Sequence, residues 1–285
     1  MSRILVTGGN GFIGRALVRA LAGDHEVVAL TRADGDIAHR DTLERAGTVD
    51  HVFHLAARTF VPDSWQDPAG FIAANVGGTA NVLEYCHRTS ASLTFVSAYV
   101  YGPPERLPIA EDTPPRPNNP YALSKHLAEQ ACAFYACHRG VRVTVIRPFN
   151  VYGPGQSAHF LIPRIVEQVQ ARTEIRVLDL HPKRDYVFLD DLVDALVRTL
   201  EPGEELHRVF NIGSGESVSV QAVVDTIQQV AGTALPVTDA GERRVQELDD
   251  VRADITRART QLGWTPRTPL RDGIARMLVT GDGAR

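Results

Sequence analysis

The stretch Thr7-Gly8-Gly9-Asn10-Gly11-Phe12-Ile13-Gly14 decides the fold. It follows a short apolar run, Ile4–Thr7, and opens into a helical pattern over Phe12–Ala22. Gly8, Gly11 and Gly14 recur at every third residue. In a strand that turns sharply into a helix, the first glycine permits the tight turn. The second lets the backbone approach a pyrophosphate, and the third lets helix and strand pack closely. The helix N-terminus then offers free N–H groups and a partial positive charge to the anion. The spacing predicts a dinucleotide site, with Gly8, Gly11, Phe12, Ile13 and Gly14 around the pyrophosphate.

Outward from this turn, short apolar runs alternate with helical patterns, the rhythm of a parallel sheet with crossover helices. Strands are expected at Glu26–Leu30, Asp50–Ala56, Leu93–Ser97 and Arg142–Arg147, and helices at Phe71–His87 and Tyr121–Arg139. After residue 150 the pattern predicts helices at Phe160–Gln170, Asp190–Leu200 and Val220–Ala231, with strands at Ile175–Leu178 and Val209–Ile212. Short helices at Ile255–Leu262 and Leu270–Leu278 end the chain, and the loops Gly102–Pro120 and Gly153–His159 read as walls of a site. The fold class is α/β: a Rossmann-type doubly wound parallel sheet with a smaller C-terminal substrate-binding lobe. Residues 1–150 form the dinucleotide-binding part. Residues 151–285 form mainly the second lobe, with some crossing back to the sheet.

Composition excludes other classes. The chain has 285 residues, 44% hydrophobic and 22% charged, enough to bury a large core. A net charge of −4 argues against nucleic acid as a partner. No apolar run reaches the roughly 18–20 residues of a membrane span. The N-terminus enters a strand pattern at once, so no signal peptide is expected. The three cysteines, Cys86, Cys132 and Cys137, read as reduced core residues of a cytoplasmic protein. The ten histidines have no metal spacing, so no metal is expected; His51, His54 and His126 read as structural, and Trp65 and Trp264 as packing residues. Only two of the 30 basic side chains are lysines, Lys125 and Lys183.

The end of the second strand bears on the cofactor. A site for NAD usually places Asp or Glu there, to accept from the ribose hydroxyls. This chain has Ala29-Leu30-Thr31-Arg32. Arg32 suits a 2′-phosphate, which its fork can pair with. NADP(H) is therefore favoured and NAD(H) is the alternative, with Asp36 and Ile37 at the adenine edge.

Asn119-Pro120-Tyr121 starts a helix, with proline tolerated in its first turn. Tyr121 and Lys125 are four apart and share a face. A phenol is a poor base at neutral pH. A neighbouring ammonium and the oxidised nicotinamide are expected to favour the phenolate. Tyr121 can then exchange a proton with an alcohol or ketone while hydride moves to or from the cofactor. Ser97, at a strand end, is the hydroxyl that completes such a site. In a chain that otherwise uses arginine, Lys125 stands where a compact charge on a flexible stem is required.

These stretches together resemble the extended short-chain dehydrogenase/reductase family that acts on nucleotide sugars. The likeness runs through His54-Leu55-Ala56-Ala57, Asn75-Val76-Gly77-Gly78-Thr79, Ser97-Ala98-Tyr99-Val100-Tyr101-Gly102 and Tyr121-x-x-x-Lys125. It continues in Arg147-Pro148-Phe149-Asn150-Val151-Tyr152-Gly153-Pro154-Gly155, Arg184-Asp185-Tyr186-Val187, Phe210-Asn211-Ile212-Gly213 and Leu262-Gly263-Trp264. The resemblance implies that Ser97, Tyr121 and Lys125 are catalytic. It implies that Leu55, Ala56, Ala57 and Pro148 line the cofactor groove. It places Ser97, Asn150, Arg184 and Arg244 on the nucleoside-diphosphate sugar, Arg244 by a loose version of its motif. It also implies a homodimer paired through the two long helices.

Two departures narrow the chemistry. In the family's dehydratases acidic residues follow the catalytic Ser or Thr. Here Ala98 and Tyr99 do, which argues against elimination. The short segment Thr31–Ile37 is similar to the adenine loop of NADPH-dependent deoxysugar-nucleotide reductases. Phe60-Val61-Pro62-Asp63-Ser64-Trp65 resembles the GDP-4-keto-6-deoxymannose reductases among them. The leading expectation is reduction of a 4-keto-6-deoxysugar nucleotide at C4 by NADPH. A NAD-dependent nucleotide-sugar 4-epimerase is the alternative, and a non-catalytic cofactor-binding protein the minor one.

Overall fold

Alternate residues of β1 (Arg3–Thr7) feed two different cores. Ile4 and Val6 join a cluster with Ala16, Leu17 and Leu21 on one face of the sheet. Leu5 joins Val52, Val82, Leu83 and Phe95 on the other. That division follows from the two-residue period of a strand covered on both faces. The structure is a computed structural model that describes residues 1–242 and 248–281.

The chain continues through α1 (Phe12–Leu21), β2 (Glu26–Leu30), α2 (Arg40–Glu44), β3 (His51–His54), α3 (Val61–Gln66), α4 (Pro68–Ile72), α5 (Gly78–Thr89) and β4 (Ser92–Val96). Then follow α6 (Pro120–Arg139), β5 (Val143–Pro148), β6 (Asn150–Tyr152), α7 (Leu161–Gln170), β7 (Ile175–Val177), β8 (Lys183–Arg184), β9 (Tyr186–Phe188) and α8 (Leu189–Arg198). The last elements are β10 (His207–Ile212), β11 (Val218–Ser219), α9 (Val220–Ala231), β12 (Val237–Asp239), α10 (Thr256–Gln261) and α11 (Leu270–Gly281).

Six strands form one parallel sheet in the order β10-β5-β4-β3-β1-β2. The chain builds outward from β1 to the edge strand β2, then crosses back to place β3 on the other side of β1. This reversal opens a crevice at the carboxyl ends of β1 and β3, where open α/β sheets bind ligands. A third cluster, with Ile162, Ile165, Val223, Ile227, Ile274 and Met277, packs α7, α9 and α11 into a smaller lobe. Short pairs β6–β9, β7–β12 and β8–β11 run through that part of the chain. Among the described residues no helix is long and apolar enough to cross a membrane.

The structure departs from the sequence pattern in specific places. The helix expected at Phe71–His87 is instead α4, one π-helical turn at Ala73–Gly77, and α5. The buried positions Phe71, Asn75, Thr79, Val82 and Cys86 keep a three- to four-residue spacing across it, so the sequence reads as one uninterrupted helix. The helices α2 and α3 and the short strands β6, β8, β9, β11 and β12 had no clear periodicity, whereas β7 falls where a strand is expected. Trp264 is fully buried and its Nε1 donates to the Asp191 carbonyl (2.9 Å). Trp65, expected to pack, is 56% exposed. Cys86 and Cys132 are buried free thiols, whereas Cys137 is exposed rather than a core residue.

The tightest demand is at Gly14, where an added Cβ would overlap the Gly8 carbonyl. Gly14→Ala is expected to cost about 1–3 kcal/mol through overpacking of α1 on β1. That lowers the thermal midpoint by several degrees; an unchanged midpoint would contradict the close packing.

Candidate active site

Five of the six strands of the large sheet, β1 to β5, hand a residue to the crevice at the carboxyl end. Gly8 follows β1, Thr31 follows β2, Leu55 follows β3 and Ser97 follows β4. Pro148 closes β5, buried and paired with Ile212, and Phe149 and Asn150 come next. Pairing with β4 ends at Ile146, so the missing N–H of Pro148 forfeits no ladder bond on that side. Tyr121 and Lys125 come from the first turns of α6, where Asn119 Oδ1 accepts from the Ala122 N–H (2.8 Å).

The glycine turn has the geometry its spacing implied. Gly8 has φ +73°, and an added Cβ would lie 2.9 Å from the Ala56 nitrogen. Its N–H and that of Gly9 both donate to the Leu30 carbonyl, at 2.8 and 3.1 Å, which ties the turn to β2. Gly11 caps α1 with no side-chain hydrogen bond, and the first helical turn has no acidic residue. A helix start without its own cap or counter-charge is the arrangement that a phosphate can occupy. Ala56 and Ala57 are small and partly buried beside it.

The turn after β2 is closed by Asp34. Its carboxylate accepts from the Thr31 backbone N–H (2.9 Å) and hydroxyl (2.8 Å). These bonds hold its pKa below the usual carboxylate range. Arg32 is exposed and has no hydrogen-bond or ion-pair partner among the described residues. Asp36 accepts from the Ala38 N–H (2.9 Å), and Ile37 packs against Gly78 at the start of α5.

Ser97 is 3% exposed and its Oγ has no hydrogen-bond partner among the described residues. A buried hydroxyl left unpaired in this way is held ready for a group from outside the chain. Tyr121 is partly buried, edge-on to Phe71 at 6.4 Å between centroids. Burial pushes its phenol up to about 12. The expected effect of the Lys125 ammonium on that phenol is not seen in this structure. The reason is geometric, since Lys125 Nζ sits over the Phe95 ring, 4.1 Å from its centroid. Lys125 is itself 2% exposed, and burial lowers its pKa to about 7.

Four buried residues to which the sequence reading gave no role support this arrangement. Arg147 on β5 pairs with Glu129 on α6 through Nε–Oε1 (3.0 Å) and Nη2–Oε2 (2.6 Å). Asn75, from the π turn, donates to the Ser124 hydroxyl on α6 (2.9 Å). Asn75 lay inside a quoted motif, and Ser124 lies between Tyr121 and Lys125. Their pairing across 49 residues had no local signal. His51 and His54, read as structural, are indeed hydrogen-bonded in the core. The Nδ1 of His126 is buried without a partner.

In the second lobe, Asn150 Nδ2 donates to the Asp185 carbonyl (3.1 Å). Arg184 Nη1 donates to the carbonyls of Lys183 (2.8 Å) and Leu248 (2.6 Å). The Asp185 carboxylate is fully buried and accepts from the backbone of Ser214, Gly215 and Ala253. Asn150 and Arg184 thus stand on either side of one buried anchor. Arg244 lies outside the described residues. Elsewhere Asp179, His181 and Asp239 bring possible ligand atoms within 4.8 Å of one another, with His181 Nδ1 already 2.9 Å from Asp179 Oδ1.

The residues present fit a nicotinamide dinucleotide: a glycine cradle that a Cβ would fill, an uncapped helix start, and a buried serine hydroxyl without a partner among the described residues. Comparison with known proteins agrees. Residues 4–213 match the model of the NAD dependent epimerase/dehydratase family. The chain is 32% identical to the GDP-6-deoxy-D-mannose reductase of Pseudomonas aeruginosa, over 97% of this chain and 96% of that one. It is 34% identical to a UDP-glucose 4-epimerase of Azospirillum brasilense, over 98% and 91%. The structure of RMD from Pseudomonas aeruginosa complexed with NADPH superposes with a TM-score of 0.90 at 32% identity, covering 98% of each chain.

His54 supplies a test of the buried network. Burial, with a smaller push from Lys125, lowers its pKa to about 3. Between the unfolded value of about 6.5 and the folded value, only the unfolded chain takes up the proton. The stabilisation is complete above pH 6.5 and is lost as pH falls towards 3. In a histidine NMR titration His54 is expected to stay neutral down to at least pH 4.5, a bound set roughly one and a half units above its folded value. A midpoint near the ordinary value would contradict the burial.

Proposed function

The chain belongs to the NAD dependent epimerase/dehydratase family, and we propose that it reduces the C4 ketone of a nucleoside-diphosphate 4-keto-6-deoxysugar, with NADP(H) as its preferred cofactor. The observation that carries this reading is at the end of β2. The turn there is closed by Asp34 folding back on Thr31, which leaves the Arg32 guanidinium unpartnered. A forked cation suits a 2′-phosphate.

NADP(H), when bound, supplies the hydride. The Gly8–Gly14 turn and the start of α1 hold its pyrophosphate, and Leu55, Ala56, Ala57 and Pro148 line the groove. Tyr121 gives its phenolic proton to the ketone oxygen as C4 becomes an alcohol. Its raised pKa keeps it protonated at neutral pH, the state in which a reduction must begin. The Ser97 hydroxyl, without a partner among the described residues, donates to the same oxygen as negative charge builds there. Lys125 holds the nicotinamide ribose. Asn150 and Arg184, with Arg244, take the diphosphate and nucleoside.

A NAD-dependent 4-epimerase is the second reading, and Asp34 favours it, since an acid in this turn can accept from a ribose hydroxyl. An intact Ser97, Tyr121 and Lys125 argue against a non-catalytic role. A homodimer is supported by Leu123, Leu127 and Phe134, which expose 40%, 38% and 56% of their surface along α6. Free thiols fit a reducing compartment, the cytoplasm.

Purified protein given NADPH and GDP-4-keto-6-deoxymannose is expected to consume one NADPH per sugar reduced. Tightly bound NAD with no net NADPH oxidation would instead identify an epimerase. Arg32→Ala is expected to raise the KM for NADPH about tenfold and leave that for NADH unchanged, the loss of one charge-assisted pair. Tyr121→Phe should lower kcat by about 10²–10⁴ while cofactor affinity holds; persistent turnover would overturn its assignment.

A further inference from the structure

Between the pyrophosphate turn and the first turn of α6 runs a chain of buried polar groups. Thr7, His54, Thr79, Asn75 and Ser124 are each 2% exposed or less. Ser124 Oγ donates to the Tyr121 carbonyl (2.7 Å) and therefore accepts from Asn75 Nδ2 (2.9 Å). The same amide is clamped on Arg58, giving to its carbonyl (3.0 Å) and accepting from its N–H (2.8 Å). Thr79 Oγ1 donates to the Asn75 carbonyl (2.6 Å). Having spent its proton, Thr79 must accept from His54 Nε2 (3.1 Å). His54 is neutral, so its Nδ1 accepts from Thr7 Oγ1 (2.7 Å), and Thr7 Oγ1 in turn accepts from the Ala56 N–H (3.3 Å).

Every donor in this chain points the same way, from the residue before Gly8 to the backbone of Tyr121. No hydroxyl in it can turn round without leaving a neighbour unpaired in the core, which is costly. The single π turn at Ala73–Gly77 contains Asn75, and such turns are frequent at functional sites.

We propose that Ser124 and Asn75 are positioning residues: through this hydrogen-bond chain they fix the first turn of α6, and with it the Tyr121 phenol, against the turn that receives the cofactor pyrophosphate. The proposal rests on Tyr121 being the proton donor. Ser124→Ala removes one hydroxyl from a helix still held by its Asn119 cap and by Glu129 on Arg147. The fold is kept while the placement of Tyr121 loosens, and a displacement of about 1 Å at a reacting group is worth about a hundredfold in rate.

The test compares wild type, Ser124→Ala, Asn75→Asp, the double variant and Ser124→Thr, with NADPH and GDP-4-keto-6-deoxymannose. Each of the first two is expected to lower kcat about ten- to hundredfold with the KM for NADPH nearly unchanged. The double variant should be no slower than the worse single one, because both break the same chain. Ser124→Thr, whose hydroxyl can make the same back-bond, should recover most of the rate. A kcat unchanged in either single variant, or losses that multiply, would overturn the proposal. A second arm needs no turnover: hydrogen–deuterium exchange over residues 119–126, with NADPH or NADH, whichever raises the thermal midpoint more. Cofactor should increase protection there in wild type but not in Ser124→Ala; an increase that survives the substitution would also overturn the proposal. If wild type oxidises no NADPH on this sugar, the reductase reading fails by itself and the exchange arm decides the positioning claim.

Discussion

One guanidinium, that of Arg147, holds the working parts of the crevice in a single frame. It lies on β5, 6% exposed, and pairs along its edge with the Glu129 carboxylate of α6. Its remaining Nη1 donates to the Tyr101 hydroxyl (2.9 Å) and the Glu111 carbonyl (3.1 Å). Tyr101 passes its own proton to Asn211 on β10 (2.6 Å). The helix that carries Tyr121 and Lys125, the loop that follows Ser97 and the far edge of the sheet are thereby tied to one charge. A pair buried this deeply is a demanding fixture, since removing either partner strands a charge in the core at about 3–5 kcal/mol. That demand is also why it specifies a position: few other packings satisfy both ions.

Burial sets the chemistry as well as the geometry. The same low-dielectric surroundings push the Tyr121 phenol up to about 12 and the Lys125 ammonium down to about 7. Both shifts favour the neutral form, as desolvation must. The Tyr121 phenol is therefore protonated at neutral pH. The lysine is parked on the Phe95 ring, where its charge is partly compensated by the π face.

Where the sequence was readable, a local steric or spacing rule was at work. Glycines at positions 8 and 14 are forced by overlap between the turn, α1 and Ala56, Gly11 is close against the Gly8 carbonyl, and a four-residue interval puts Tyr121 and Lys125 on one face. Six buried residues in succession at Val143–Pro148 announce a central parallel strand. What was not readable depends on partners distant in the chain. Nothing near Arg147 names Glu129, nothing near Ser124 names Asn75, and the π turn that contains Asn75 hides inside a regular apolar period. The role of Asp34 was missed for a related reason: its carboxylate matters through the turn it closes on Thr31, which only the backbone path reveals.

The central claim is that this crevice delivers a hydride and a proton to a sugar ketone and releases the product reduced. The most direct measurement uses NADPH deuterated at the transferring carbon, with NMR of the sugar nucleotide released from GDP-4-keto-6-deoxymannose. The account predicts one deuterium at C4 of every product molecule. A product carrying none, or a reaction that interconverts two C4 alcohols without consuming the labelled cofactor, would contradict it.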